Sequence, residues 1–160
     1  MDAQTAIRES LAMAEMVSMA YIADLSDAEL LQRPHDQCNH LNWQIGHLVA
    51  VENHLLSQIA PGEMPALPEG FAEKYSKETA SINDPSAFAT KDELLATYQA
   101  QRQATLAILS KISAEDLDAP TGIDYAPTKA ALISMQGAHW LMHCGQWVIV
   151  RRNNGKPVVI

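Results

Sequence analysis

The feature that most limits how this chain can fold is the return of apolar residues every three or four positions in four long segments. Ile7, Leu11, Ala14, Val17, Tyr21 and Leu25 carry it in the first, from Thr5 to Leu25. Leu41, Ile45, Leu48, Leu55 and Ile59 carry it in the second, which Pro61-Gly62 stops near Ala60. Leu94, Leu95, Tyr98, Thr105, Ile108, Leu109 and Ile112 mark the third, and Leu132, Ile133, Met135, Trp140, Leu141, Trp147, Val148 and Val150 almost encircle the fourth. That period belongs to amphipathic helices packed on at least one side, and no strand-like alternation competes with it. The expected fold class is all-α.

The links between these segments fix their arrangement. Ser26-Asp27-Ala28-Glu29 has the form of a capping box opening a short helical turn, which Pro34 ends, and Asn39 is placed to cap the second helix. Thr90-Lys91-Asp92-Glu93 caps the third. Ser113-Ala114-Glu115-Asp116-Leu117, followed by Pro120, then repeats the punctuation of the first link. The fourth helix is expected from about Pro127-Thr128 to Asn154, with Arg151 and Arg152 in its last turn and Gly155 as its stop. Between helices two and three, Pro61, Pro65, Pro68, Pro85, Gly62 and Gly70 break any period over residues 61–89, with Phe71, Tyr75 and Phe88 available as anchors. Short, long and short links predict a four-helix bundle of up-down-down-up topology, its long crossover joining helices two and three, in a single domain over residues 1–160.

Eleven basic against nineteen acidic residues leave a net charge of −8, and Arg151-Arg152 is the sole basic pair in a row. Phosphate backbones and anionic lipid repel such a chain, so neither nucleic acid nor membrane is an expected partner. Cys38 and Cys144 form no paired motif, no apolar run is long enough to span a bilayer, and Met1-Asp2-Ala3-Gln4-Thr5 lacks the form of a secretion signal. The expected location is the cytoplasm.

Candidate chemistry sits in the fourth helix. His139 and His143 are four residues apart, which stacks both imidazoles on one face about 6 Å apart along the axis, the spacing of a helical chelate. In the expected topology helices two and four run antiparallel, with residues near 50 and 141 level, so His47 falls beside the pair. His40 and His54 each lie seven residues from His47, about 10 Å along the axis, too far to share one small site with it. Three neutral imidazoles suit Zn, Ni, Cu or Fe, and three protein ligands leave a coordination position open for water or substrate.

Gly46-His47-Leu48 with Trp43 one turn earlier, His139 and His143 followed by Cys144-Gly145-Gln146, and the ending Arg151-Arg152-Asn153-Asn154-Gly155-Lys156-Pro157 together resemble the DinB-like superfamily of metalloenzymes, over essentially the whole chain. The resemblance implies an up-down-down-up bundle, a nickel- or zinc-type ion on His47, His139 and His143, and a homodimer. It also implies thiol chemistry, since the superfamily includes mycothiol-dependent maleylpyruvate isomerase and bacillithiol transferases. The expected function is therefore a metal-dependent enzyme that activates a low-molecular-weight thiol or a water toward a small-molecule substrate. A non-catalytic dimeric module binding a metal or small molecule, and a purely structural bundle, stand as alternatives.

The remaining polar residues carry plainer readings beside functional ones. Trp43, His54, Gln136 and Gln146 are candidates for the cavity wall or for hydrogen bonds to the ligands. Packing (Trp43), a core or rim histidine (His54) and solvation or interhelical bonding (the glutamines) stand against that. His35 and His40 read as loop or cap residues, Cys144 as a buried thiol off the chelating face, and Trp140 as packing. Glu52 is expected to face solvent or pair on the helix surface. Tyr98 and Arg102, one turn apart, read as core packing and a snorkelling arginine, or as contacts to an anionic substrate.

Overall fold

The computed structural model describes residues 1–159, and they are helical throughout their regular structure. Four long helices, α1 (Ala3–Ile22), α3 (Leu41–Ile59), α5 (Lys91–Lys111) and α7 (Lys129–Asn153), carry the apolar period. Three single-turn helices, α2 (Asp27–Leu30), α4 (Phe71–Lys74) and α6 (Ala114–Leu117), lie between them. Among the described residues there is no strand, only an isolated bridge between Pro120 and Thr128. Among the same residues no helix is long and apolar enough to cross a membrane.

Local chemistry sets the helix ends. Both expected capping boxes are present: Ser26 and Thr90 each accept from the backbone N–H three residues on, and Glu29 and Glu93 reach back to the cap. Two ends differ from the sequence reading. The cap of α3 is His40 rather than Asn39, because the imidazole Nδ1 accepts the Trp43 N–H (3.0 Å) while the Asn39 carbonyl is taken by Gln44. Pro127 lies outside α7, whose cap is the Thr128 hydroxyl. At the other end of α7, Gly155 adopts a left-handed φ of 68°, and the Lys156 N–H returns to the Arg151 carbonyl.

Side-chain pairs fix the helix directions. Along α1 and α7, Ala14 lies against Gly137, Ser18 Oγ lies 3.2 Å from Cys144 Sγ, and Arg151 donates to the Tyr21 carbonyl, so the two run parallel. Asn42 donates to the Ala89 carbonyl just before α5, and Asn53 to Gln101 within it, so α3 and α5 also run parallel. Gln44 reaches Gln146 while Leu55 shares a cleft with Met135, so α3 and α7 are antiparallel.

Buried apolar side chains form two clusters, one including Trp43, Tyr75, Tyr98, Trp140 and Trp147, the other including Leu11, Leu56, Leu109 and Ile133. On α3 the break falls between Val49 and Leu55, on α5 between Tyr98 and Ile108, and on α7 between Ile133 and Trp140. Glu52, Arg102, Thr105 and Gln136 occupy those gaps and are all buried, so a polar layer separates the clusters.

The long connection is pinned rather than loose. Phe71, Tyr75 and Phe88 are buried as anchors. Tyr75 lies flat on Gly46: a Cβ there would stand 2.3 Å from its ring. Its hydroxyl donates to Asn42 (3.2 Å) and accepts the Ala89 N–H (3.0 Å), which locks the ring in place.

Candidate metal centre

Glycine at 46 lets the crossover lie directly on α3, and the next residue, His47, turns toward α7. Its ring stacks on Trp43 (centroids 4.8 Å, planes 9° apart), and Trp43 is held by hydrogen bonds from its indole N–H to the Thr79 hydroxyl (3.0 Å) and the Ser76 carbonyl (3.2 Å). The wall behind His47 is thus built by the crossover.

His139 and His143 face it from α7. Ring centroids lie 5.8 Å apart for His47 and His139, 6.3 Å for His47 and His143, and 5.1 Å for His139 and His143. Three imidazoles on one tetrahedral ion, with metal–nitrogen bonds of about 2.0–2.1 Å, place their centroids about 5 Å apart. The α7 pair already has that spacing, and His47 stands about an ångström too far. Among the described residues no three His, Cys, Asp or Glu side chains lie within ligating reach of a common point. The donor set fits a borderline transition ion in kind, three imidazoles and no carboxylate, and the triangle needs a small contraction to grip one.

All three rings are held neutral. Burial is the leading cause in each case, and it lowers the pKa of His47 and His139 and pushes that of His143 down to about 4. Mutual repulsion adds to this for His47 and His143, while the Tyr75 carbonyl opposes it at His47. Neutral imidazole is the form with a lone pair to give.

The other sequence candidates are dispersed. His54 is exposed and pairs with Gln58 (2.9 Å), one turn further along α3. Gln136 is buried and bonds the Leu132 carbonyl of its own helix (2.8 Å). Gln146 accepts from Gln44 (3.0 Å). Trp43 is buried against His47 as described, and Cys144 is a buried thiol beside Ser18, its pKa pushed up to about 11 by burial.

Glu52 is a correction to the sequence reading. It is 1% exposed, and its carboxylate accepts from Arg102 Nη2 (3.0 Å) and the Thr105 hydroxyl (2.7 Å). Arg102 is likewise buried, beside Tyr98, so it neither snorkels nor reaches solvent. The apolar stripes of α3 and α5 meet here, and a helix-facing carboxylate is tolerated because a guanidinium from the facing helix matches it.

Gln44, which the sequence reading passed over, is the polar hub of the centre. Its oxygen accepts the Trp147 indole N–H (2.9 Å) and lies 2.9 Å from His143 Nδ1, while its nitrogen donates to the Asn39 carbonyl (2.7 Å) and to Gln146. One signal pointed to it: Gln44 precedes His47 by three residues and so shares its face of α3.

Beside the histidines a cleft of about 390 Å³ opens between α3 and α7, walled by Val51, Leu55, Met135, Ala138 and Met142, with His139 on its side and exposed Tyr125 at its edge. No charged side chain lines it.

The chain is similar in structure to a conserved protein from Enterococcus faecalis, with a TM-score of 0.71 and 19% identity over 98% of this chain and 99% of that one. No curated protein matches it significantly. The family profile described as the DinB superfamily matches residues 10–147, which span α3, α5, most of α1 and α7, and all three clustered histidines, and the chain belongs to that superfamily.

Proposed function

We propose that this protein is a metal-dependent enzyme in which His47, His139 and His143 hold a divalent ion, nickel or zinc in kind. The ion serves to activate a low-molecular-weight thiol or a water toward a small-molecule substrate. The observation that carries this reading is the convergence of three neutral imidazoles from two facing helices, with no carboxylate among them. Such an ion lowers the pKa of a bound thiol or water, so that the nucleophile exists at neutral pH.

The chain's own residues supply the rest. Trp43 backs His47 and keeps its ring from swinging away, and the apolar walls of the cleft favour an uncharged part of the substrate next to His139. Glu52 is committed to Arg102 and Thr105 and is not free as a general base, so activation falls to the ion. The parallel pairs α1–α7 and α3–α5 and the antiparallel pair α3–α7 support an up-down-down-up bundle in one domain. Exposed Met13, Met16, Leu141, Met142 and Ile149 on α1 and α7 support a homodimer, placed here in the cytoplasm.

Elemental analysis of untagged protein tests the metal reading. A stoichiometric transition metal is expected in the native chain and none in a His139→Ala, His143→Ala variant; equal, negligible content in both refutes it. The missing base also favours a second reading, a non-catalytic binding module. Chelator-sensitive turnover of an electrophile with a thiol excludes that module, and metal binding without any turnover favours it.

A further inference from the structure

We propose that Gln44 fixes the tautomer of His143, holding the hydrogen on Nδ1 so that Nε2 keeps the lone pair that a metal ligand needs; this rests on the metal reading above for what the lone pair serves.

The argument turns on which groups can only donate and which can only accept. An indole N–H donates and has no acceptor capacity, and a backbone carbonyl only accepts. The Trp147 N–H therefore requires the oxygen of the Gln44 amide at its 2.9 Å contact, and the Asn39 carbonyl independently requires the nitrogen at 2.7 Å. Turning the amide over sets N–H against N–H on one side and oxygen against oxygen on the other, at a residue 1% exposed. Buried polar groups without partners are costly enough to exclude that state.

With the oxygen so assigned, His143 Nδ1 faces an acceptor at 2.9 Å and must itself carry the hydrogen. The other neutral tautomer points a ring lone pair at the amide oxygen and blocks Nε2 with a hydrogen. The Gln44 amide is then fully used: two acceptances at oxygen, two donations at nitrogen, the second to Gln146 Oε1 at 3.0 Å. Its side chain has no alternative partner to drift to. Helix α3 thus supplies one histidine of the cluster directly and orients another on α7 through a residue one turn away. Partners of this kind, which hold the far nitrogen of a ligating imidazole, are worth about 10–100-fold in metal affinity.

The test reads the tautomer directly. In chelator-stripped protein labelled with ¹⁵N-histidine, at neutral pH, long-range ¹H–¹⁵N correlations are expected to show Nδ1–H for His143. Gln44→Leu should move His143 toward Nε2–H and weaken zinc binding about 10–100-fold in a competition titration. Gln44→Met, which keeps the length of the side chain but offers no amide oxygen, should move the tautomer and weaken zinc binding in the same way. An Nε2–H ring in the native protein overturns the proposal, and so does a folded Leu variant with unchanged tautomer and zinc affinity. Should the Leu variant fail to fold, the native spectrum and the Met variant decide, and an unchanged tautomer and zinc affinity in the latter overturn it. Native protein that shows Nδ1–H yet binds no zinc upholds the role of Gln44 in fixing the ring and sinks the metal reading instead.

Discussion

His40 makes the stability of this protein depend on pH in a way that one substitution isolates. The ring is fully buried, lies edge-on to Phe88 (4.6 Å), and caps α3 by accepting the Trp43 N–H on Nδ1. Only the neutral ring can accept there, and its pKa is pushed down to about 4, first by burial and then by the Arg33 charge, against partial opposition from the Ile82 carbonyl. Unfolded, the same ring titrates near 6.5. Below that pH the unfolded chain binds a proton that the folded one refuses. Stability is therefore complete above about pH 6.5 and falls with acid until about pH 4. At about 1.36 kcal/mol per pKa unit, linkage predicts a loss from this residue of about 1 kcal/mol at pH 5.5 and about 2–3 kcal/mol at pH 4.5. His40→Asn keeps a capping acceptor and removes the titration, at the cost of a pH-independent loss of packing. Urea unfolding of both proteins at pH 7.5, 5.5 and 4.5 separates the two effects, since His47, His139 and His143 contribute equally to each. The native chain's advantage at pH 7.5 should shrink by those amounts, and a gap that stays constant with pH refutes the reasoning.

Two further substitutions probe the packing that carries the site. Glu52→Gln leaves the buried Arg102 charge uncompensated and should destabilise the fold by about 3–5 kcal/mol, whereas replacing both partners with Leu and Met should cost far less; denaturant unfolding distinguishes a matched pair from an incidental contact. Gly46→Ala drives a methyl into the Tyr75 ring, which its two hydroxyl bonds prevent from retreating, and should cost about 1–3 kcal/mol. Combining it with Tyr75→Ala should give a loss smaller than the sum of the single losses, and strict additivity in a double-mutant cycle counts against the clash.

What the sequence made legible follows from how far each physical rule reaches. Helices and caps are local, so period and capping boxes located all four long helices to within a few residues; the misplaced cap at Asn39 arose because histidine is an unusual cap, and only the fold shows that the Asn39 carbonyl is needed by Gln44. Register is semi-local: matching helix midpoints set residue 50 level with 141, and the observed pairing of His47 with His139 and His143 agrees to about one turn. Burial of a charge is not local at all. Glu52 looks like a solvated helix residue until α5 brings Arg102 and Thr105 against it, and nothing in the spacing of α3 announces that meeting. Gln44 was hidden for a related reason. A glutamine gains meaning only from what it bonds, and its partners Asn39, His143, Gln146 and Trp147 come from two stretches of chain about a hundred residues apart. The histidines could be found in the sequence because chelation has a helical period, but the amide that orients one of them has none. Polar groups of that kind are found by accounting for every buried donor and acceptor, and here that accounting ends at one tautomer of one ring.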